Sequence, residues 1–120
     1  MVAEQNETNA EANDLLQSCR TYERALSILE RRWMGLVIRA LLHGPRRFNE
    51  ILAAVPGITD TLLTQRLREL EANHLVERRV LTGSPVRVEY ELTEAGRDLD
   101  RVLREIAAWA HRWLPAETTA

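Results

Sequence analysis

At Leu75 the apolar residues of this chain stop recurring every third or fourth position and begin to alternate. Downstream, Val76 and Val80, then Val86, Val88, Tyr90 and Leu92, alternate with Glu77, Arg79, Arg87, Glu89 and Glu91. That is the period of two half-buried strands. The intervening Thr82-Gly83-Ser84-Pro85 is a turn-forming cluster, so the strands are expected to close as an antiparallel hairpin. Immediately upstream, two short helices meet at Pro56-Gly57-Ile58. The first is predicted from Phe48 to Val55, with Phe48, Ile51, Leu52 and Val55 inward. The second runs from its N-cap Thr59 to about Asn73 with Leu63, Leu67 and Leu70 inward. A helix-turn-helix followed at once by a two-stranded hairpin is the winged-helix arrangement.

Three further helices complete the expected fold. One starts near Asn13 and carries Leu15, Tyr22, Ala25, Leu26 and Leu29 as a stripe. Another spans Trp33 to Leu42 with Leu36, Val37, Ala40 and Leu41 inward, and His43-Gly44-Pro45 stops it. The last is capped by Thr93 and runs to Leu114, its stripe formed by Leu99, Val102, Leu103, Ile106, Ala110 and Trp113. The predicted class is mainly α with a small β-hairpin, a winged helix-turn-helix over 15–114. Disordered tails are expected at 1–14, which is acidic, and at 115–120.

A last helix of about 33 Å exceeds the roughly 27 Å diameter of a compact domain of 120 residues, so its apolar stripe needs a partner surface. The expected dimer interface comprises Tyr22 and Leu26 from the first helix with Leu99, Val102, Leu103, Ile106, Trp109 and Trp113 from the last. Two-fold symmetry then offers two copies of the fourth helix to half-sites one helical turn, or a multiple, apart on a duplex.

Charge narrows the function. The net charge is −2, but residues 1–19 carry four acids and no base, whereas residues 20–79 hold eleven arginines against seven acids. Nucleic-acid binding depends on the local field, so the basic middle segment outweighs the acidic total. No apolar run approaches the roughly 20 residues needed to span a bilayer. The first residues have neither a basic n-region nor an apolar stretch, so a cytoplasmic, non-membrane protein is expected. One cysteine excludes an intrachain disulfide, and His43, His74 and His111 lack metal-ligand spacing, so no metal or cofactor is expected. No Gly-rich phosphate loop, paired carboxylates or nucleophile-base constellation marks an enzyme.

The fourth helix carries the chemistry. With Leu63, Leu67 and Leu70 inward, Thr61, Thr64, Gln65 and Arg68 point to the opposite side. Arg can bond bidentately to guanine, Gln to adenine, and Thr offers a hydroxyl and a methyl to thymine. A solvated face uses the same residues, and the helix alone leaves both readings open. The flanking residues favour DNA: Arg46, Arg47, Asn49, Thr59, Arg78 and Arg87 stand on both sides of the reader, where they would hold phosphates and fix register. Helix N-termini are expected to add backbone donors. The acidic tail and low pI support an alternative, a winged protein-interaction module that does not bind DNA.

These segments together resemble the HxlR-type transcriptional regulators, relatives of the MarR-type winged-helix proteins. The resemblance runs from Cys19 to about Trp113. It is carried by Cys19, Trp33, Gly44-Pro45-Arg46-Arg47-Phe48-Asn49-Glu50, Leu63-Thr64-Gln65-Arg66-Leu67-Arg68-Glu69-Leu70-Glu71, Leu75-Val76-Glu77-Arg78 and Val86-Arg87-Val88-Glu89-Tyr90-Glu91-Leu92-Thr93-Glu94-Ala95-Gly96. It implies a homodimeric, sequence-specific DNA-binding regulator, often a repressor, with the fourth helix in the major groove and the hairpin near the minor groove. It also implies gating by a redox signal or a small-molecule effector, with Cys19 at the position of the family's sensor cysteine. Arg20 and Arg24 lie close enough in sequence to favour its thiolate, and a small packing residue at the dimer seam is the other reading of Cys19. The sequence departs from the family at Glu30-Arg31-Arg32, where glycine usually precedes the tryptophan, so a tighter break between the first two helices, or none, is expected. It departs again at Asn73-His74, where Asn73 is the expected left-handed cap.

Overall fold

The computed structural model describes residue 14 and residues 19–117, and the chain divides into two compact units that meet between Met34 and Gly35. Leu15 and, of the predicted tails at 1–14 and 115–120, residues 1–13 and 118–120 lie outside the described residues. The first unit contains helix α1, residues 19–29. A break follows at residues 30–33, where Trp33 has a φ of 73° and the Arg32 guanidinium stands 5.1 Å from its ring centroid. The break is therefore present without glycine, at the cost of a left-handed tryptophan.

The second unit is a winged helix-turn-helix in the order α2 (Met34–Ala40), α3 (Phe48–Ala54), α4 (Asp60–Ala72), β1 (Val76–Leu81), β2 (Arg87–Leu92) and α5 (Glu94–Trp113), α2 taking its first residue from the unit before. Its core is Val37, Ile38, Leu41, Ile51, Val55, Ile58, Leu63, Leu67, Leu70, Val76 and Leu92. The phase of α2 differs from expectation. Met34, Val37, Ile38 and Leu41 are buried, an i, i+3, i+4, i+7 set, whereas Leu36 is 53% exposed. A helix apolar on most sides does not declare which side is inside. Between α3 and α4 the turn requires Gly57, whose φ is 95°.

The two strands pair antiparallel from Val76↔Leu92 to Leu81↔Arg87, with a cis Ser84–Pro85 bond in the connecting turn. Arg46 adds a single bridge to the outer edge of β2, exchanging backbone hydrogen bonds of 2.9 and 2.8 Å with Tyr90. The hairpin is thereby tied to the residue that precedes α3 by two positions.

A compact junction joins α4 to α5. Helix α4 ends in a Schellman motif: His74 N–H donates to Glu71 and Leu75 N–H to Leu70. The left-handed residue is His74, at φ 58°, and not Asn73. Asn73 is instead engaged by its own helix, both its backbone N–H and its Nδ2 donating to the Glu69 carbonyl. The Leu75 carbonyl then accepts from Thr93 N–H at 3.0 Å, and Thr93 Oγ1 donates to the His74 carbonyl at 2.8 Å while capping α5 at Gly96 N–H.

Helix α5 is buried only at Gly96 and Asp100. The Asp100 carboxylate has no exposed surface and lies 3.3 Å from Arg104 Nε and 3.9 Å from Arg39 Nε of α2. Leu99, Val102 and Leu103 are half-buried, and past them Ile106, Trp109 and Trp113 are exposed. No helix is long and apolar enough to cross a membrane among the described residues.

Candidate nucleic-acid interface

The two faces of α4 separate cleanly. Leu63, Leu67 and Leu70 are at most 2% exposed. On the other side Thr61, Gln65 and Arg68 are exposed and Thr64 is half-buried. The Thr64 hydroxyl donates to the Asp60 carbonyl at 2.8 Å, which leaves its methyl and its oxygen lone pairs free. Thr59 caps the helix, its hydroxyl oxygen accepting from Leu62 N–H at 3.2 Å. Asp60 in the first turn adds a charge that suits the helix dipole.

The helix N-termini are less available as anion sites than the sequence suggested. At α3 the Glu50 carboxylate accepts the Arg47 N–H at 2.9 Å, so part of that donor set is served from within. At α4 Thr59 does the same and Asp60 opposes a phosphate. Attraction for a polyanion therefore falls to side-chain cations.

Those cations are distributed unevenly. Arg79 is held by Glu91 at 2.8 Å and Glu77 at 3.3 Å. Arg66, buried beneath the α4 surface, is held by both oxygens of Glu69 at 2.8 and 2.6 Å. By contrast Arg46, Arg47, Arg68, Arg78 and Arg87 have no ion pair among the described residues. Arg46 is half-buried and the other four are exposed. The five lie on the residues leading into α3, on α4 and on both strands of the hairpin. Asn49 is exposed in the first turn of α3.

Register explains why Arg78 and Arg79 differ. Residues opposite one another share a face, so Arg79, Glu77, Glu89, Glu91 and Arg87 occupy one side of the ribbon, and Arg78 and Tyr90 the other. Two glutamates therefore reach Arg79 and none lies opposite Arg78. Sequence reasoning missed the Arg66–Glu69 pair and the buried Asp100. The signal for the first was the i, i+3 spacing, and for Asp100 the i, i+4 spacing to Arg104, which does not disclose its burial.

Cys19 is exposed and unpaired as a disulfide, and lies with the exposed Tyr22 and Leu26 in the first unit. No group of three or more potential ligands gathers as a metal site among the described residues.

Comparison with known proteins gives the arrangement a context. The family model described as HxlR-like helix-turn-helix matches residues 28–118. The HTH-type transcriptional regulator YodB of Bacillus subtilis is 46% identical over 101 residues, 83% of this chain and 90% of that protein. The crystal structure of its reduced form superposes with a TM-score of 0.74 at 46% identity, covering 80% of this chain and 94% of that one. Its quinone-bound form gives a TM-score of 0.70 at 43% identity, over 79% and 100% of the two chains.

Proposed function

The chain belongs to the HxlR-like helix-turn-helix family of DNA-binding transcriptional regulators, and we propose that it binds a pseudo-palindromic operator as a homodimer and acts as a repressor by occupying it. Thr61, Thr64, Gln65 and Arg68 read bases in the major groove, and Arg46, Arg47, Asn49, Thr59, Arg78 and Arg87 hold the backbone. The observation that carries this reading is the open polar row of α4 bordered by arginine side chains with no ion pair among the described residues. An isolated cation beside a reader gains from phosphate what Arg79 has already obtained from glutamate. Family membership favours this over the protein-interaction module without DNA binding.

The experiment compares two substitutions on a promoter fragment selected by the wild type. Arg68→Ala is expected to lower affinity by about 1–3 kcal/mol and to relax specificity at one base pair. Arg87→Ala should weaken all sequences alike and reduce the salt slope by about one. If neither changes binding, the assignment of this face fails.

The dimer uses the apolar faces of α1 (Tyr22, Leu26) and α5 (Leu99, Val102, Leu103, Ile106, Trp109, Trp113), half-buried at Leu99, Val102 and Leu103 and exposed at the others. Cys19 is the sensor in a second layer of the reading, supported by its exposure and by the existence of a quinone-bound form of YodB. An oxidant or an electrophilic small molecule acts on its sulfur and alters operator affinity. Quinone treatment should change DNA binding by the wild type and leave Cys19→Ser unaffected. Equal responses would dismiss the thiol.

A further inference from the structure

The point of the hairpin carries no charge. From Val80 to Val86 the chain reads Val-Leu-Thr-Gly-Ser-Pro-Val, and its three large apolar side chains are open to solvent, Val80 at 53%, Leu81 at 41% and Val86 at 63%. Val80 stands opposite Val88 and Leu81 opposite Arg87, so Val80 and Leu81 cover opposite faces of the ribbon. A flat protein partner would bury one of those faces and leave the other wet. A groove entered end-on by the turn places a wall beside each.

Charge sits behind the point rather than on it. Arg87 occupies the last rung of the hairpin and Arg78 lies about 10 Å back along β1. Neither has an ion pair among the described residues. Cations at the shoulders and apolar groups at the tip match a groove with phosphates along its rim and sugars along its walls. The minor groove of B-DNA has that profile, at a width of about 6 Å.

Resting on the DNA-binding reading above, with the hairpin near the minor groove beside each half-site, we propose that Leu81 and Val86 at its uncharged tip select A·T over G·C pairs there by excluding the guanine 2-amino group. In the minor groove a G·C pair differs from an A·T pair by that one donor. Against an apolar side chain the amino group loses its water and gains no acceptor, which penalises G·C without any hydrogen bond from the protein. The tip hydroxyls, Thr82 and Ser84, make the opposite prediction: if either accepted from the amino group, G·C would bind as well as A·T or better.

The test uses the full-length protein and an operator isolated by its own selectivity. The pairs flanking the half-sites are made A·T, G·C or inosine·C, the last lacking the 2-amino group. Wild type should bind the A·T and inosine·C versions alike and the G·C version roughly a hundredfold more weakly, about tenfold for one unsatisfied donor at each of the two half-sites. The Leu81→Ala/Val86→Ala double variant, altered only at exposed positions, should bind all three within about twofold of one another and keep the wild-type salt slope. Equal binding of the three operators by wild type overturns the inference while leaving operator recognition intact. Discrimination that persists in the double variant overturns the assignment to these side chains. Failure to enrich any operator at all sinks the DNA-binding reading first, and this one with it.

Discussion

Replacing Gly96 with alanine tests how tightly the recognition helix is joined to α5. A Cβ at Gly96 would collide with the carbonyl oxygen of Leu75, and would lie 3.2 Å from that carbonyl carbon and 3.0 Å from Leu92 Cδ2. The oxygen cannot swing aside, because it accepts the Thr93 N–H at 3.0 Å. Relief requires α5 to withdraw by about 1 Å to reach ordinary contact distance. That movement stretches the bonds from Thr93 to Leu75 and to His74. Overpacking of this kind destabilises by about 1–3 kcal/mol, each weakened bond adds up to about 1, and the expected total is about 2–4 kcal/mol. Gly35→Ala is the control of opposite sign. Its Cβ would meet nothing closer than Leu103 Cδ2 at 3.9 Å, and removing a helical glycine stabilises by about 0.5 kcal/mol. In urea, with an m-value of about 2 kcal/mol per molar, the midpoint should fall by about 1–2 M for Gly96→Ala and rise by about 0.3 M for Gly35→Ala. Both are measured at one protein concentration, since an assembly makes stability depend on it. A Gly96→Ala midpoint within about 0.3 M of wild type would refute the tight junction.

Three other variants have definite expected outcomes. Thr59→Ala removes the cap of α4 and should lower unfolding free energy by about 1 kcal/mol in the same titration. Asp100→Leu replaces a buried carboxylate, neither of whose oxygens has a hydrogen-bond partner, while Arg39 and Arg104 keep access to solvent. It should be neutral or stabilise by about 1–2 kcal/mol, and a loss greater than about 1 kcal/mol would show that the charge holds α5 in place. Trp109→Ala with Trp113→Ala should raise the dimer dissociation constant at least thirtyfold, about 2 kcal/mol, in sedimentation equilibrium while leaving the helical circular dichroism of dilute protein unchanged.

The sequence revealed most where one physical requirement acted alone. On α4 the apolar spacing fixed the buried row, and Thr59 set the start, so the polar row of Thr61, Thr64, Gln65 and Arg68 followed by subtraction. The hairpin was legible because its alternation and its Gly-Ser-Pro turn agree. Helix α2 was misphased because too many of its residues are apolar, and only packing selects Ile38 over Leu36. The choice of His74 over Asn73 turned on competition: the Asn73 amide is worth more as a donor to Glu69 than its left-handed preference is worth at the next step. The distinction between Arg78 and Arg79 was within reach of the sequence, since a register set by the turn already crowds Glu77, Glu89 and Glu91 onto the face of Arg79. The burial of Asp100 was not, because its i, i+4 spacing to Arg104 would equally suit an exposed pair, and Arg39 comes from a helix distant in sequence.

The junction also constrains how a signal could reach DNA. The last two residues of the Schellman motif, His74 and Leu75, are the same residues whose carbonyls receive Thr93, and Thr93 is the cap of α5. The end of the recognition helix and the start of α5 thus share hydrogen-bonded atoms with no loop between them. A rotation of α5 about this point must carry the end of α4 with it or break bonds worth about 1 kcal/mol each. If the exposed half of α5 forms the dimer seam, a small change in how two copies pack alters the spacing of the two readers, and no separate lever is needed. Helix α4 is thereby a poor candidate for independent motion, and in the proposed dimer control of affinity falls to the seam and to the wing, which α5 follows directly at Leu92 and Thr93.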